Sequence, residues 1–271
     1  MAMRIVSLTN LKGGSAKSTT AFNLAGSLSA LGHRVLAIDL DPQQTLSLSY
    51  LGVGVGQKPI SEVLVEDGLL EMAILPTSYD NLFAIPADPG LKAIKSGQVQ
   101  IEGGELRLRR CLEQLRGLSA DGQSQYAFDW VLIDCPPSLD KLTMNALVAA
   151  DFVLVPVDPG AGGRTALVDT VEYISAAQKW YNPTLKILGM LINNVNRNTV
   201  YDQTTEAAVR DLYGDQVFKT VIPSSVRVRE SAEFRTPLAF CTGNEYRRYV
   251  EIYNQFCQEV LERVGVYNGP T

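Results

Sequence analysis

The sequence has little of several residue types on which common functional sites depend. It has a single histidine, His33, which excludes a multi-histidine metal centre and argues against a Ser-His-Asp triad. Its four cysteines, Cys111, Cys135, Cys241 and Cys257, form no CxxC pair. That distribution is typical of reduced thiols in a cytosolic protein.

Long hydrophobic runs and compositional bias are also missing. No apolar run reaches the roughly 18 residues that a membrane-spanning helix needs, and the first seven residues contain no apolar leader. Of the 271 residues, 46% are hydrophobic and 20% are charged, which excludes the collagen-like, disordered and coiled-coil classes. We expect a cytoplasmic protein with a single domain over residues 1–271.

Short apolar segments alternate with stretches of helical periodicity along the chain. The predicted strands are 4–9, 34–39, 81–86, 130–134, 152–157 and 185–193, and the predicted helices are 19–31, 105–118, 165–180, 203–213 and 245–264. Strands this apolar, separated by helices, predict an α/β fold with a doubly wound, mostly parallel sheet and helices on both faces. Residues 52–75 and 87–105 are less regular and are interpreted as surface connections.

A glycine-rich loop lies between the first predicted strand and the first predicted helix, where a P-loop belongs. In such a loop, backbone N–H groups surround phosphate oxygens, and the helix adds the partial positive charge of its N-terminus. Lys17 would reach the β- and γ-phosphates, and the Ser18 hydroxyl would bind Mg²⁺. The loop departs from a standard Walker A pattern, because Leu11 replaces the first glycine and Ala16 replaces the glycine before the lysine. The predicted nucleotide-binding residues of the loop are Lys12, Gly13, Gly14, Ser15, Ala16, Lys17, Ser18 and Thr19.

Carboxylates follow two further strands at the points where the strands end. Asp39 and Asp41 close the second predicted strand, and Asp134 closes the strand 130–134, which has the Walker B form. Because the carboxyl ends of parallel strands meet at one edge of a sheet, Lys17, Asp39 and Asp134 are expected to converge there. This convergence predicts nucleotide chemistry in a P-loop NTPase fold.

Together these segments resemble the ParA/MinD family of deviant Walker A ATPases, and more narrowly the ParA-type partition ATPases. The matching positions extend over nearly the whole chain and include Lys12 and the segments 39–43, 134–139, 145–147, 150–157 and 222–231. The resemblance implies ATP and Mg²⁺ as cofactors and a weak ATPase activity that a partner protein stimulates. The chain departs from the family after Val157, where a glutamine and a bulky residue are common and the segment 158–164 is glycine-rich.

The resemblance also implies a role for individual residues. The ATP-bound form would be a homodimer in which Lys12 of one subunit reaches the phosphates held by the other. Asp39 would position the attacking water and complete a catalytic set with Lys12 and Lys17. Asp134 would hold Mg²⁺ through its water shell, together with Ser18. The residues near adenine would be Asn193, Asn194 and Pro223, although loop capping is an alternative for the two asparagines.

A basic segment is present in a chain whose net charge is −5. Residues 219–248 contain six basic and three acidic side chains, a local charge of +3. Such a segment would contact DNA phosphates without reading bases, and dimerisation would double it. The predicted DNA-contacting residues are Lys219, Arg227, Arg229, Arg235, Arg247 and Arg248, with simple solvation or pairing to a carboxylate as the alternative for each.

The sequence therefore favours a ParA-like ATPase that binds DNA non-specifically as an ATP-dependent dimer on the nucleoid. It would partition a plasmid, chromosome or other cargo through a ParB-like or other adaptor. A ParA-like protein that positions a protein microcompartment would have the same ATPase residues. A MinD-like membrane-cycling ATPase is a further alternative, but the helix 245–264 lacks lysine and resembles a helix docked on its own domain, so no membrane is expected. An iron–sulfur protein is disfavoured, because Cys111 and Cys135 lack glycine-rich contexts.

Overall fold

The computed structural model describes residues 3–66, 68–119, 126–197 and 199–265, which form a seven-stranded sheet flanked by helices. The strands are β1 (Arg4–Leu8), β2 (Val35–Asp39), β3 (Leu75–Pro76), β4 (Leu82–Ile85), β5 (Trp130–Asp134), β6 (Phe152–Val157) and β7 (Lys186–Ile192). Their order is β3-β4-β2-β5-β1-β6-β7, and every neighbouring pair is parallel except β3 with β4. The predicted doubly wound, mostly parallel sheet is confirmed.

The α-helices formed by the described residues follow the strands along the chain. They are α1 (Lys17–Ala30), α2 (Ile60–Val65), α3 (Leu91–Lys95), α4 (Arg107–Ser119), α5 (Lys141–Ala149), α6 (Gly163–Trp180), α7 (Val200–Tyr213), α8 (Val226–Glu233) and α9 (Arg247–Arg263). A short π-helix at Thr45–Tyr50 follows β2.

Side chains of the central strands alternate between two hydrophobic cores, one on each face of the sheet. In β2, Leu36 and Ile38 belong to the first core, whereas Val35 and Ala37 belong to the second. This alternation is the period of an extended strand, and burial of both faces explains why the strand is apolar throughout. Helices α2 to α7 contribute to the first core, and α1, α8 and α9 contribute to the second.

The two segments interpreted as surface connections contain helices that reach the core. Ile60 and Leu64 of α2 and Leu91 and Ile94 of α3 are all at most 1% exposed. The interpretation is wrong for these parts of the chain, because helices of five or six residues are too short to reveal a 3.6-residue period. The pattern also misses α5 and α8, which have nine and eight residues.

Helix α9 packs on the second core. Its Tyr253, Phe256 and Leu261 are buried there, as predicted for a C-terminal helix docked on its own chain. Among the described residues, no helix combines the length and the apolar character needed to cross a bilayer.

The close contact between α1 and Pro237 gives a first prediction. A Cβ added to Gly26 would collide with the ring of Pro237. We expect Gly26→Ala to lower the free energy of unfolding by about 1–3 kcal/mol through overpacking. The control Gly117→Ala lies on an exposed turn of α4, where an added Cβ meets nothing within 4 Å. That change should raise the free energy of unfolding by about 1 kcal/mol. Urea unfolding measures both, and a stabilising Gly26→Ala would contradict the contact.

Candidate functional site

The carboxyl ends of three adjacent strands bring the predicted site residues to one edge of the sheet. In the strand register, Leu8 of β1 and Asp39 of β2 both lie beside Asp134 of β5. The glycine-rich loop leaves β1 at this edge and leads into α1. These elements enclose a cavity of about 420 Å³, called here the loop cleft. It is lined by residues 13–19 together with Asp41, Thr45, Tyr50, Pro137, Asn194 and Arg229.

The loop backbone takes left-handed conformations at Gly14 and Ala16. Gly14 has φ 76°, which glycine adopts without strain, and a Cβ there would meet nothing within 4 Å. Ala16 has φ 63° and ψ 30°, a conformation that costs an L-residue roughly 1–2 kcal/mol. Helix α1 begins directly afterwards at Lys17. The loop therefore keeps a glycine-like turn at a position that carries a side chain.

Two groups of opposite charge, Lys17 and Asp134, are buried beside the loop cleft. Lys17 is 7% exposed, and Asp134 is fully buried. Burial lowers the pKa of Lys17, and the nearby Asp134 opposes that effect. Burial also raises the pKa of Asp134 well above its ordinary value; Asp39 adds to the rise, while Ser18 and Lys17 reduce it. Each buried charge is thus only partly compensated by the other.

Both oxygens of the Asp134 carboxylate are available to accept hydrogen bonds from the water shell of a cation. Both of its oxygens are buried, and neither has a hydrogen-bond partner with good geometry in the described part of the chain. Ser18, in the lining of the loop cleft, offers a hydroxyl oxygen close by. No group of three or more His, Cys, Asp or Glu side chains suited to a metal occurs among the described residues. The donor set fits Mg²⁺, which keeps several waters and takes one or two protein ligands beside phosphate oxygens.

The two carboxylates that follow β2 have different positions. Asp39 is 1% exposed, and its oxygens accept hydrogen bonds from Ser47 N (2.9 Å), Ser47 Oγ (2.8 Å) and Asp41 N (3.0 Å). Burial raises the pKa of Asp39 to about 6. Asp41, in contrast, lines the loop cleft. The geometry departs from the role predicted for Asp39, because the turn after β2 covers Asp39 and leaves Asp41 facing the cleft.

Lys12 is engaged within its own chain. Its ammonium nitrogen lies 3.0 Å from Oδ1 of Asp158, and its backbone N–H donates to Oδ1 of Asn10 at 2.8 Å. Among the described residues the lining of the loop cleft begins at Gly13 and does not include Lys12. In the single chain, therefore, the Lys12 ammonium is directed to Asp158 and away from the cleft of its own subunit.

The three residues predicted near adenine lie in separate environments. Asn193 is 3% exposed, and its Nδ2 donates to Oγ1 of Thr20 at 2.8 Å, a contact between the end of β7 and α1. Asn194 has φ 59° and lines the loop cleft, and its Nδ2 donates to Oδ2 of Asp158 at 3.3 Å. Pro223 lines a neighbouring cavity. Asn193 thus has a supporting contact, and Asn194 is the asparagine at the cleft.

The six predicted DNA-contacting residues do not form one patch. Two of them pair with carboxylates of their own helix, and these pairs are Arg227–Glu230 (2.6 Å) and Arg247–Glu251 (3.3 Å). The backbone N–H of Lys219 donates to Glu259 at 2.8 Å. The guanidinium of Arg235 packs against Gly52. For Arg227 and Arg247 the structure supports the alternative of pairing with a carboxylate.

The other two residues, Arg229 and Arg248, converge with Arg197. These three line a second cavity of about 420 Å³, called here the arginine cavity. Their guanidinium groups have no ion pair within the described residues. Arg229 also lines the loop cleft, so the two cavities share a wall. Three guanidinium groups without carboxylate partners make this cavity suited to phosphate or another anion.

Sequence reasoning does not assign four residues of the loop cleft to the site, namely Asp41, Thr45, Tyr50 and Pro137. The Tyr50 hydroxyl lies 3.4 Å from the Thr19 hydroxyl, and the Tyr50 ring lies 5.4 Å from that of Phe22. The π-helix at Thr45–Tyr50 turns Tyr50 back to the loop, and no spacing rule in the sequence indicates that turn. Pro137 follows the Walker B strand by three residues, and that short distance was the available signal.

Known proteins are similar to this chain in sequence and in fold. The AAA domain family AAA_31 matches residues 3–187. The chromosome partitioning protein ParA of Caulobacter vibrioides is 36% identical over 270 residues, which cover 96% of this chain and 95% of that protein. The sporulation initiation inhibitor protein Soj of Bacillus subtilis is 33% identical over 259 residues, with coverages of 95% and 98%. The crystal structure of cobyrinic acid a,c-diamide synthase from Mycobacterium smegmatis, with bound ADP and magnesium, has a TM-score of 0.78 and 29% identity, and covers 99% of this chain and 98% of that one.

The left-handed backbone at Ala16 leads to a second prediction. Ala16→Gly should raise the free energy of unfolding of the ligand-free protein by about 0.5–1 kcal/mol, because the relief of strain exceeds the added entropy of the unfolded chain. The control Ala207→Gly, at an exposed position of α7, should lower it by about 1 kcal/mol. Chemical unfolding of both variants measures the difference. An equal decrease in the free energy of unfolding in both variants would mean that the backbone at Ala16 is unstrained.

Proposed function

The chain belongs to the AAA_31 family and is a ParA/MinD-type ATPase, and from that premise we propose that it is a partition ATPase. In this proposal, an ATP-bound dimer holds DNA without sequence preference and releases it after hydrolysis. A ParB-like or other adaptor stimulates a weak intrinsic activity and connects the ATPase to a plasmid, a chromosome or another cargo. The protein then works on the nucleoid in the cytoplasm.

The observation that carries the proposal is the loop cleft, where the buried Lys17 lies at the end of a glycine-rich turn and is electrostatically stabilised by the buried Asp134. Backbone N–H groups of the loop are suited to phosphate oxygens, and Lys17 is suited to offset their charge. Ser18 and Asp134 would hold Mg²⁺, with Asp134 acting through water. When bound, the ion neutralises negative charge on the phosphates during phosphoryl transfer.

Asp41 is the residue to which we assign the attacking water. It lines the cleft, and of its two carboxylate oxygens only Oδ1 accepts a hydrogen bond from the described residues, from Gln43 N at 3.0 Å. Both oxygens of Asp39, in contrast, are engaged by Ser47 and by Asp41 N. In this assignment Asp39 is a positioning residue that fixes the turn carrying Asp41. Phosphoryl transfer depends on positioning more than on covalent chemistry, so a single well-placed carboxylate can have a large effect on rate.

The arginine cavity is the part of the surface that we assign to DNA. Each of its three guanidinium groups can neutralise a phosphate without reading a base. Two such cavities in a dimer would act together, so a chain of net charge −5 could hold DNA in the paired state and lose it as a monomer. We do not extend the proposal to a membrane surface, because residues of the apolar face of α9 are buried in the second core.

In this assignment, Asp41→Ala impairs ATP hydrolysis but leaves ATP binding intact. We expect turnover at least about tenfold lower, with ATP affinity retained and the dimer persisting after ATP addition. Phosphate release measures the turnover, and sedimentation velocity measures the dimer. The comparison variant Asp39→Asn keeps the Asp41 carboxylate but turns an NH2 donor toward a backbone N–H or hydroxyl that Asp39 accepts from, so it should lower stability and reduce turnover less than Asp41→Ala does. Normal turnover in Asp41→Ala together with lost turnover in Asp39→Asn would reverse the assignment.

Arg248→Ala tests the assignment of the arginine cavity. In the presence of ATP and Mg²⁺, it should weaken binding to random duplex DNA several-fold and lower the salt slope by about one unit. The neighbouring Arg247 is engaged by Glu251, so Arg247→Ala is the matched control and should have a smaller effect. Fluorescence anisotropy at about 50 to 200 mM salt measures both. Binding without ATP, or equal losses in the two variants, would contradict the assignment.

A further inference from the structure

The glycine-rich segment after β6 builds a compact enclosure around an ion pair. Oδ1 of Asp158 lies 3.0 Å from the Lys12 ammonium, and the two side chains are only 14% and 21% exposed. The same oxygen accepts a hydrogen bond from the backbone N–H of Gly160 at 2.6 Å. A Cβ at Gly163 would collide with the carbonyl oxygen of Asp158, so the turn can close only with glycine there. The departure of this chain from the family pattern thus has a structural result, which is a well-held partner for Lys12.

The backbone of Lys12 is fixed independently of this ion pair. Its N–H donates to Oδ1 of Asn10 at 2.8 Å, and Nδ2 of Asn10 donates to the carbonyl oxygen of Pro156 at 2.7 Å. These bonds tie the start of the glycine-rich loop to the end of β6. Any redirection of the Lys12 ammonium must therefore come from its flexible side chain, with the backbone staying in place.

Asp158 also contacts the loop cleft through Asn194. Nδ2 of Asn194 donates to Oδ2 of Asp158 at 3.3 Å, and Asn194 is part of the cleft lining. The carboxylate of Asp158 therefore binds two side chains. One is Lys12, whose ammonium is expected to reach the phosphates of the second subunit, and the other is Asn194, which a ligand in the loop cleft would contact. A ligand that draws Asn194 away would remove one of the hydrogen bonds that hold Asp158 in place.

We propose, on the basis of the proposed ATP-dependent dimer, that Asp158 is a positioning residue that holds the Lys12 ammonium on its own subunit and so sets the ATP concentration at which dimers form. The ammonium can pair with Asp158 or with the phosphates of a second copy, but not with both. Asp158 is therefore an internal competitor of the triphosphate. Dimerisation occurs when the attraction of the phosphates exceeds that of Asp158.

The first test is an ATP titration of dimer formation by sedimentation velocity with Mg²⁺ present. Asp158→Asn keeps an acceptor oxygen for Gly160 but removes the charge. Its ATP midpoint should be about three- to tenfold lower than that of the wild-type chain, as expected for loss of a partly buried ion pair. Asp169→Asn removes the same charge from an exposed position of α6 and should leave the midpoint unchanged. An unchanged or higher midpoint in Asp158→Asn, with a wild-type chain that dimerises, overturns the inference.

The second test examines Lys12 without any dimer. Reductive methylation of the ligand-free protein, followed by mass spectrometry, reports how available each lysine amine is. Lys12 should react faster in Asp158→Asn than in the wild type, while Lys186, exposed at the start of β7, should react equally in both. Equal Lys12 rates overturn the inference alone. Wild-type and Asp158→Asn chains that both stay monomeric at every ATP concentration overturn the proposed function, whatever the Lys12 rates.

Discussion

The structure depends on the burial of Lys17 and Asp134, two groups of opposite charge, at the same edge of a parallel sheet. Burying two charges this deeply costs free energy, and their mutual attraction offsets only part of that cost. The strand register places Asp39 next to Asp134. Burial raises the pKa of both carboxylates, and the charge of Asp39 adds to the rise at Asp134. A cation and a phosphate would relieve this imbalance together. The glycine-rich loop, the turn after β2 and the start of α1 surround the point where the charge is unbalanced.

Much of this arrangement could be predicted from the sequence, because continuous apolar runs identify buried parallel strands and strand ends identify the edge that carries the site. The prediction does not distinguish neighbours whose environments differ. Asp39 and Asp41 are two residues apart, yet only the second faces the cleft. Asn193 and Asn194 are adjacent, and the left-handed backbone at Asn194 directs them to different partners. Those differences arise from turns that the folded chain imposes, and no local spacing encodes them.

The net charge of a sequence segment is an equally limited guide to a binding surface. Residues 219–248 contain an excess of basic side chains, but the sequence does not show which of them form ion pairs with carboxylates in the folded chain. Helical spacing brings carboxylates to Arg227 and Arg247, whereas Arg229 and Arg248 meet Arg197 from a different part of the chain. Tertiary structure thus converts a diffuse positive segment into one concentrated cavity. Arg229 lies on the wall that the arginine cavity shares with the loop cleft. An ion bound in either cavity would therefore change the electrostatic potential in the other.

The left-handed alanine in the loop has a genetic consequence. Alanine and glycine codons differ only at their second base, so a single nucleotide change can place glycine at this left-handed position and relieve its backbone strain. The backbone strain at Ala16 can therefore be adjusted in one mutational step that changes one methyl group in the lining of the loop cleft. Position 16 is a place where natural variation can retune how firmly the loop is held, independently of the chemistry carried by Lys17 and Ser18.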